Sequence, residues 1–86
     1  MPDVVVYTSD NCSFCDRAKM LLAKRNVPFE EVRLERWDHE GRVALADRTG
    51  RTTLPQIIIG GAAIGGFDEL HALDGTGTLA RMLSRE

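Results

Sequence analysis

The run Val4-Val5-Val6-Tyr7, followed shortly afterwards by Cys12-Ser13-Phe14-Cys15, decides the fold of this chain. The β-branched run predicts a buried strand, and the amphipathic stretch from Asp16 to Arg25 predicts a helix that begins at the cysteine pair. A strand that leads into a helix opening with C-x-x-C is typical of a redox dithiol. The first turn of a helix exposes free N–H groups and the positive end of the dipole, which favour a thiolate, the attacking form of cysteine. We therefore expect Cys12, at the N-cap, to be the nucleophile and Cys15, one turn further in, to resolve the mixed disulfide.

A zinc site is the main alternative for a C-x-x-C pair. The chain has two cysteines and two histidines, His39 and His71. The histidines lie far from the cysteines and from each other, unlike the ligand spacing of zinc fingers. The spacing therefore favours a redox dithiol over a single-chain zinc site or two inert buried cysteines, and it favours histidines on helix surfaces.

Length and composition predict an ordinary globular protein. The 86 residues carry a net charge of −2 and are sufficient for a single domain, residues 1–86. Acids and bases are interspersed, so neither nucleic acid nor a membrane is an expected partner. No apolar run approaches the ~20 residues that a bilayer span needs, and no secretory signal is visible. A cysteine pair in a reducing compartment is more often catalytic than structural, and we expect a cytoplasmic location.

The pattern along the chain predicts an α/β fold with the order β-α-β-α-β-β-α. A helical crossover makes the first two strands parallel, and the Gly60-Gly61 turn makes the last two an antiparallel hairpin. We expect one mixed four-stranded sheet with helices on both faces. The predicted elements are strands at Asp3–Tyr7, Phe29–Leu34, Gln56–Ile59 and Ala62–Ile64, and helices at about Ser13–Asn26, His39–Arg48 (from Asp38 to Gly50 with its caps), Asp68–Leu73 and a last segment around Leu79.

Three further segments resemble the glutaredoxin family, which has the thioredoxin fold. Val6-Tyr7-Thr8 precedes the dithiol as in that family. The segment Thr52-Thr53-Leu54-Pro55-Gln56-Ile57 is similar to its T-V-P-Q-[IV] loop with a cis-proline. Gly65-Gly66-Phe67-Asp68-Glu69-Leu70 is similar to its G-G-x-D-[DE]-L glutathione signature. With the C-S-F-C site in register, the likeness is to small bacterial dithiol glutaredoxins and covers nearly the whole chain.

The resemblance implies a glutathione-dependent thiol–disulfide oxidoreductase. Its partners would be glutathione and protein disulfides or glutathionylated proteins, and the chain would be a monomer. A cis Leu54–Pro55 bond would turn the backbone of Leu54 toward the Cys12 sulfur, where an extended substrate pairs with it. The implied glutathione-binding residues are Phe14, Arg51, Thr53, Leu54, Pro55, Gly66, Phe67 and Asp68.

Several of these residues have a second interpretation from the sequence alone. Pro55 also suits the start of a strand in the trans form, and Phe14 suits either the core or a shield for the sulfur. Arg51 is either a solvated loop charge or the partner of the glycine carboxylate of glutathione. Asp68 is an expected helix N-cap as well as a ligand for the γ-glutamyl end. Trp37 is expected to be a packing residue at the start of the second helix.

The sequence departs from the family at two positions beside the dithiol. Ser9 stands where the family commonly has a lysine, three residues before the first cysteine, and Asp10 follows it. The lost positive charge and the added carboxylate both predict a higher pKa for Cys12 than in lysine-bearing relatives. Ser13 replaces a proline, and relatives with serine there include some that hold a [2Fe–2S] cluster between two monomers. An alternative function is therefore a cluster-carrying homodimer with Cys12 and glutathione thiols as ligands.

A third alternative is an electron donor coupled to thioredoxin reductase. The chain lacks the W-S-G-F-x-P segment of those proteins, which counts against it.

Overall fold

The structure, a computed structural model, describes residues 3–84, and their strands form one mixed four-stranded sheet. Its order is β2-β1-β3-β4. The strands are β1 (Val4–Thr8), β2 (Glu30–Arg33), β3 (Gln56–Ile59) and β4 (Ala62–Gly65). β2 is parallel to β1, whereas β3 is antiparallel to β1 and β4 is antiparallel to β3. The predicted strand directions are confirmed.

The helices begin and end close to where the cap residues predict. They are α1 (Ser13–Lys24), α2 (His39–Thr49), α3 (Phe67–Gly75) and α4 (Thr78–Leu83). Asp38 caps α2 because its carboxylate accepts a hydrogen bond from the Gly41 N–H at 2.9 Å. Gly50 ends α2 with a φ of 77°, in the left-handed region that glycine enters without cost. Within residues 3–84, none of these helices combines the length and apolarity that a bilayer crossing requires.

The main core lies between one face of the sheet and α1, α3 and α4. It contains alternate residues of β1 and β3 together with Ala18, Leu22, Leu70 and Leu79. The intervening residue Tyr7 points to the other face, where its hydroxyl accepts a hydrogen bond from Arg48 of α2 at 3.5 Å. The helices therefore cover both faces, as predicted.

Two aromatic residues differ from what the apolar pattern predicts. Trp37 is 76% exposed, so the prediction that it packs at the start of α2 is wrong. Phe14 is 50% exposed, and the core interpretation of this residue is wrong as well. Cys15 takes the buried position in the first turn of α1, because the buried face contains Cys15, Ala18 and Leu22. His39 and His71 are exposed on helices, which confirms the prediction for both.

A polar contact fixes the end of β1, immediately before the segment that leads to Cys12. The buried Thr8 hydroxyl donates to Glu31 Oε2 of β2 at 2.7 Å, and Lys19 Nζ of α1 lies 3.1 Å from the same oxygen. The hydrogen bond from Thr8, with a smaller contribution from Lys19, holds the pKa of Glu31 below its ordinary value. Glu31 therefore stays ionised at neutral pH and ties β1 to β2 and α1.

Candidate active site

Cys12 and Cys15 are joined as a disulfide at the start of α1, with their Cα atoms 5.2 Å apart. Cys12 is the N-cap residue, and its sulfur accepts a hydrogen bond from the Cys15 N–H at 3.1 Å. Cys12 is half-buried, whereas Cys15 is only 1% exposed. An attacking sulfur must be reachable and must be stabilised as an anion. Of the two cysteines, Cys12 has both properties, and this supports the assigned order of attack and resolution.

A groove of about 310 Å³ lies beside the disulfide. Three segments line it: the first turn of α1, the loop before β3 and the start of α3. All the predicted glutathione-binding residues are on its wall, namely Phe14, Arg51, Thr53, Leu54, Pro55, Gly66, Phe67 and Asp68. The Leu54 carbonyl oxygen lies 3.8 Å from Cys12 Sγ, which places the sulfur at the edge of the groove. The Leu54–Pro55 peptide bond is cis, as the resemblance implied.

Aromatic rings form one side of the groove. The ring centroids of Phe14 and Phe67 are 6.1 Å apart, and the Arg17 guanidinium lies 5.4 Å from the Phe14 centroid. These distances are within the range of favourable aromatic and cation–π contacts. Phe14 therefore packs on Phe67 along one side of the groove, and its role as a shield for the sulfur stays a prediction.

The start of α3 differs from the prediction. The N-cap is Gly66 rather than Asp68, and α3 begins at Phe67. The Glu69 carboxylate accepts a hydrogen bond from the Gly66 N–H at 2.8 Å, which is the side-chain-to-backbone half of a capping box. Asp68 is consequently an exposed residue of the first helical turn. The N–H groups of Phe67 and Asp68 have no acceptor within the helix and are available to bind an anion.

Comparison with known proteins decides the family. A protein-family model described as Glutaredoxin matches residues 4–64. The chain belongs to the glutaredoxin family. It is 46% identical to a glutaredoxin of Pseudomonas aeruginosa, over 98% of this chain and 99% of that protein. It is 42% identical to glutaredoxin 3 of Escherichia coli K12, over 96% of this chain and 99% of that protein.

Solved glutaredoxin structures have the same architecture. A buckwheat glutaredoxin–glutathione complex superposes with a TM-score of 0.86 at 30% identity, covering 95% of this chain and 76% of that one. The solution structure of glutaredoxin from Brucella melitensis gives a TM-score of 0.82 at 42% identity, covering 96% and 89%. The thioredoxin-like fold is therefore confirmed. Membership of the glutaredoxin family and the Cys12–Cys15 pair identify the protein as a thiol–disulfide oxidoreductase.

Glu69 is a groove residue that sequence reasoning missed. Besides its bond to Gly66, its carboxylate lies 3.6 Å from Arg51 Nη1 across the groove wall. The Gln56 side-chain amide holds the Arg51 carbonyl at 2.9 Å, so the backbone of the arginine is also fixed. The available signal was a glutamate three residues after a predicted glycine turn, which is the capping-box spacing.

The same contacts favour the ionised form of the Glu69 carboxyl. The Gly66 N–H, followed by the backbone N–H of Glu69 itself and by Arg51, lowers the pKa of this carboxyl below its ordinary value. The carboxylate also explains why residue 65 is glycine: a Cβ there would lie 2.7 Å from Glu69 Cγ, and its φ is 123°. Glu69 therefore stabilises the groove wall through Gly66 and Arg51.

Glu69→Gln should remove a pH-dependent part of the stability. A depressed carboxyl pKa stabilises the folded chain fully above the unfolded value, and this stabilisation is lost as the pH falls through the folded value. Glutamine keeps the acceptor oxygen but loses the charge, at a cost of roughly 0.5 kcal/mol for so exposed a group. We expect the variant to melt below the parent at pH 7, with a deficit that becomes smaller as the pH is lowered to 3. The exposed Glu30→Gln is the control, and an equal deficit at both pH values would contradict the assignment.

Proposed function

We propose that this glutaredoxin uses glutathione as its reductant and reduces protein–glutathione mixed disulfides and protein disulfides. The observation that carries the proposal is the groove of about 310 Å³ that opens beside Cys12 Sγ. A groove next to a redox sulfur, rather than a flat surface, fits a small thiol co-substrate. The glutathione bound to the related buckwheat protein supports the same ligand here.

The polar groups on the groove wall complement a tripeptide with charged ends. The free N–H groups of Phe67 and Asp68 suit the γ-glutamyl carboxylate, and the Asp68 carboxylate suits the adjacent ammonium. Arg51, 45% exposed and already near Glu69, suits the glycine carboxylate. The backbone of Leu54 would pair with the central residue, whose sulfur then lies toward Cys12.

The reaction proceeds by two thiolate–disulfide exchanges. The Cys12 thiolate attacks the glutathione sulfur of a mixed disulfide, forms the Cys12–glutathione disulfide and releases the substrate thiolate. A second glutathione thiolate attacks that adduct, giving oxidised glutathione and the Cys12 thiolate. With a protein disulfide, Cys15 attacks the mixed disulfide on Cys12 instead. This releases the substrate dithiol and leaves the Cys12–Cys15 disulfide, which two glutathione molecules reduce.

The cluster-carrying homodimer gains no support from the structure or its relatives. Residues 3–84 contain no group of three or more side chains placed to hold a metal ion. A cluster that bridges two chains through Cys12 depends on a partner and on glutathione. We propose the monomer and a cytoplasmic location, where glutathione keeps thiols reduced.

The choice of reductant tests the proposal. Reduction of a glutathionylated peptide should proceed with glutathione, glutathione reductase and NADPH, and should be at least about tenfold slower with thioredoxin reductase and NADPH. The reason is that the groove recognises a tripeptide thiol rather than a protein surface. Equal or faster turnover with thioredoxin reductase would overturn the glutathione assignment and leave the oxidoreductase assignment standing.

A further inference from the structure

Arg42, near the start of α2, contacts the segment that precedes the nucleophile. Its Nη2 donates to Ser9 Oγ at 2.9 Å and to the Leu34 carbonyl at 3.3 Å. Its Nε donates to the Glu35 carbonyl at 3.2 Å. One guanidinium thereby joins the nucleophile loop, residues 9–11, to the segment that follows β2. Among the contacts of this loop, those of Arg42 bridge the longest distance along the chain.

A second arginine compensates the negative charge of the same loop. The Ser9 hydroxyl lies 3.3 Å from Asp10 Oδ1, and Arg36 Nε lies 3.3 Å from Asp10 Oδ2. Asp10 is therefore paired, and its presence beside the dithiol is not the addition of an uncompensated carboxylate that the sequence implied. Arg36 is 71% exposed, so its ion pair is weak, whereas the contacts of Arg42 are half-buried.

The nucleophile loop has a backbone conformation that such contacts support. Asn11, directly before Cys12, has a φ of 52°, in the left-handed region. Asparagine enters this region more readily than most residues other than glycine, so the cost is small, and contacts around the loop help to maintain the conformation. At the other end of the loop, Thr8 is already fixed through Glu31. Within the loop, Ser9 receives the half-buried contact from outside, whereas the pair of Asp10 with Arg36 is exposed and weak.

We propose that Arg42 is a positioning residue for Cys12 and acts through Ser9. By holding the loop, it keeps Cys12 at the N-cap, where the sulfur meets the Cys15 N–H at 3.1 Å. That placement stabilises the thiolate of the reduced protein relative to the thiol and to the disulfide. Loss of the contact therefore slows attack by Cys12 and makes the dithiol couple more reducing.

Alkylation of the reduced protein measures this role directly. The background is Cys15→Ser, which leaves Cys12 as the single thiol, and the probe is iodoacetamide at pH 7. Arg42→Gln and Ser9→Ala should each slow alkylation by roughly three- to tenfold, about 0.7–1.4 kcal/mol, because the hydrogen bond on the thiolate is weakened rather than lost. Arg48→Gln, the same charge change on the same helix, should leave the rate unchanged.

The double variant separates positioning from a general effect of charge or stability. In the Ser9→Ala background, Arg42→Gln should cause little further loss of rate, because its route to Cys12 is already cut. The melting temperature should still fall, since the bonds to Leu34 and Glu35 are lost in either background. Equal slowing in both backgrounds, or slowing matched by Arg48→Gln, would overturn the proposal. So would a lower melting temperature with an unchanged rate.

A redox equilibrium provides the second readout on the dithiol protein. Against a buffer of reduced and oxidised dithiothreitol, Arg42→Gln should shift the equilibrium constant by a similar factor toward the disulfide. A full tenfold shift corresponds to about 30 mV. Glutathione enters neither measurement, so the outcome is independent of the proposed co-substrate. An unshifted equilibrium would contradict the positioning role.

Discussion

Cys12→Ser should reduce the turnover of a glutathionylated peptide by roughly 10³-fold or more. Serine has nearly the same size as cysteine, but its hydroxyl is not ionised at neutral pH and does not attack sulfur. The half-buried Cys12 sulfur, at the edge of the groove and bonded to the Cys15 N–H, is the one that the structure presents to a substrate. The measurement is turnover coupled to glutathione reductase, followed by NADPH consumption.

Cys15→Ser is the matched control because it changes the partner sulfur by the same single atom. This variant should keep a substantial rate with the glutathionylated peptide, since the second glutathione releases the adduct without Cys15. It should lose most of its activity on a protein disulfide, where Cys15 resolves the intermediate. Activity that survives Cys12→Ser and disappears with Cys15→Ser would reverse the assigned roles.

Asp68→Asn should raise the KM for glutathione about tenfold, with a smaller effect on the rate at saturation. The substitution preserves the size of the side chain and removes the charge that we propose pairs with the glutathione ammonium. Asp68 is exposed in the first turn of α3, so the substitution should not destabilise the fold and the change in KM should not come from unfolding. The N-cap of α3 is Gly66 with Glu69, so loss of the Asp68 charge leaves the helix start intact.

Asp47→Asn, an exposed aspartate on α2, is the control for net charge. It should leave the KM unchanged. If both variants raise the KM equally, the effect comes from the overall charge of the protein. If neither does, glutathione does not place its γ-glutamyl end at α3.

Local sequence signals were sufficient for the strands, for the directions of the two predicted strand pairs and for the dithiol, but not for the antiparallel pairing of β1 with β3. The β-branched run before the cysteines, the Gly60-Gly61 turn and Gly50 after α2 each determine the backbone within a few residues. For that reason β3 has the predicted bounds, Gln56–Ile59, and both strand directions are correct. The groove residues came from motifs in register rather than from periodicity.

Contacts between distant segments explain what the sequence did not reveal. Aspartate is a favoured N-cap residue, which is why Asp68 was the expected cap. The Glu69 side chain instead bonds to the Gly66 N–H, and α3 begins at Phe67. Tryptophan is usually largely buried, yet the Trp37 side chain is 76% exposed. The link from Arg42 to Ser9 joins residues 33 positions apart, and no local pattern encodes it.

Amide NMR spectra of the Cys15→Ser protein, before and after reaction with oxidised glutathione, test most directly whether the groove beside Cys12 holds glutathione. We expect one adduct on Cys12 and shifted amide resonances at Thr53, Leu54, Phe67 and Asp68, all on the groove wall. An adduct that shifts only the residues next to Cys12 in sequence, and leaves the start of α3 unmoved, would contradict the account.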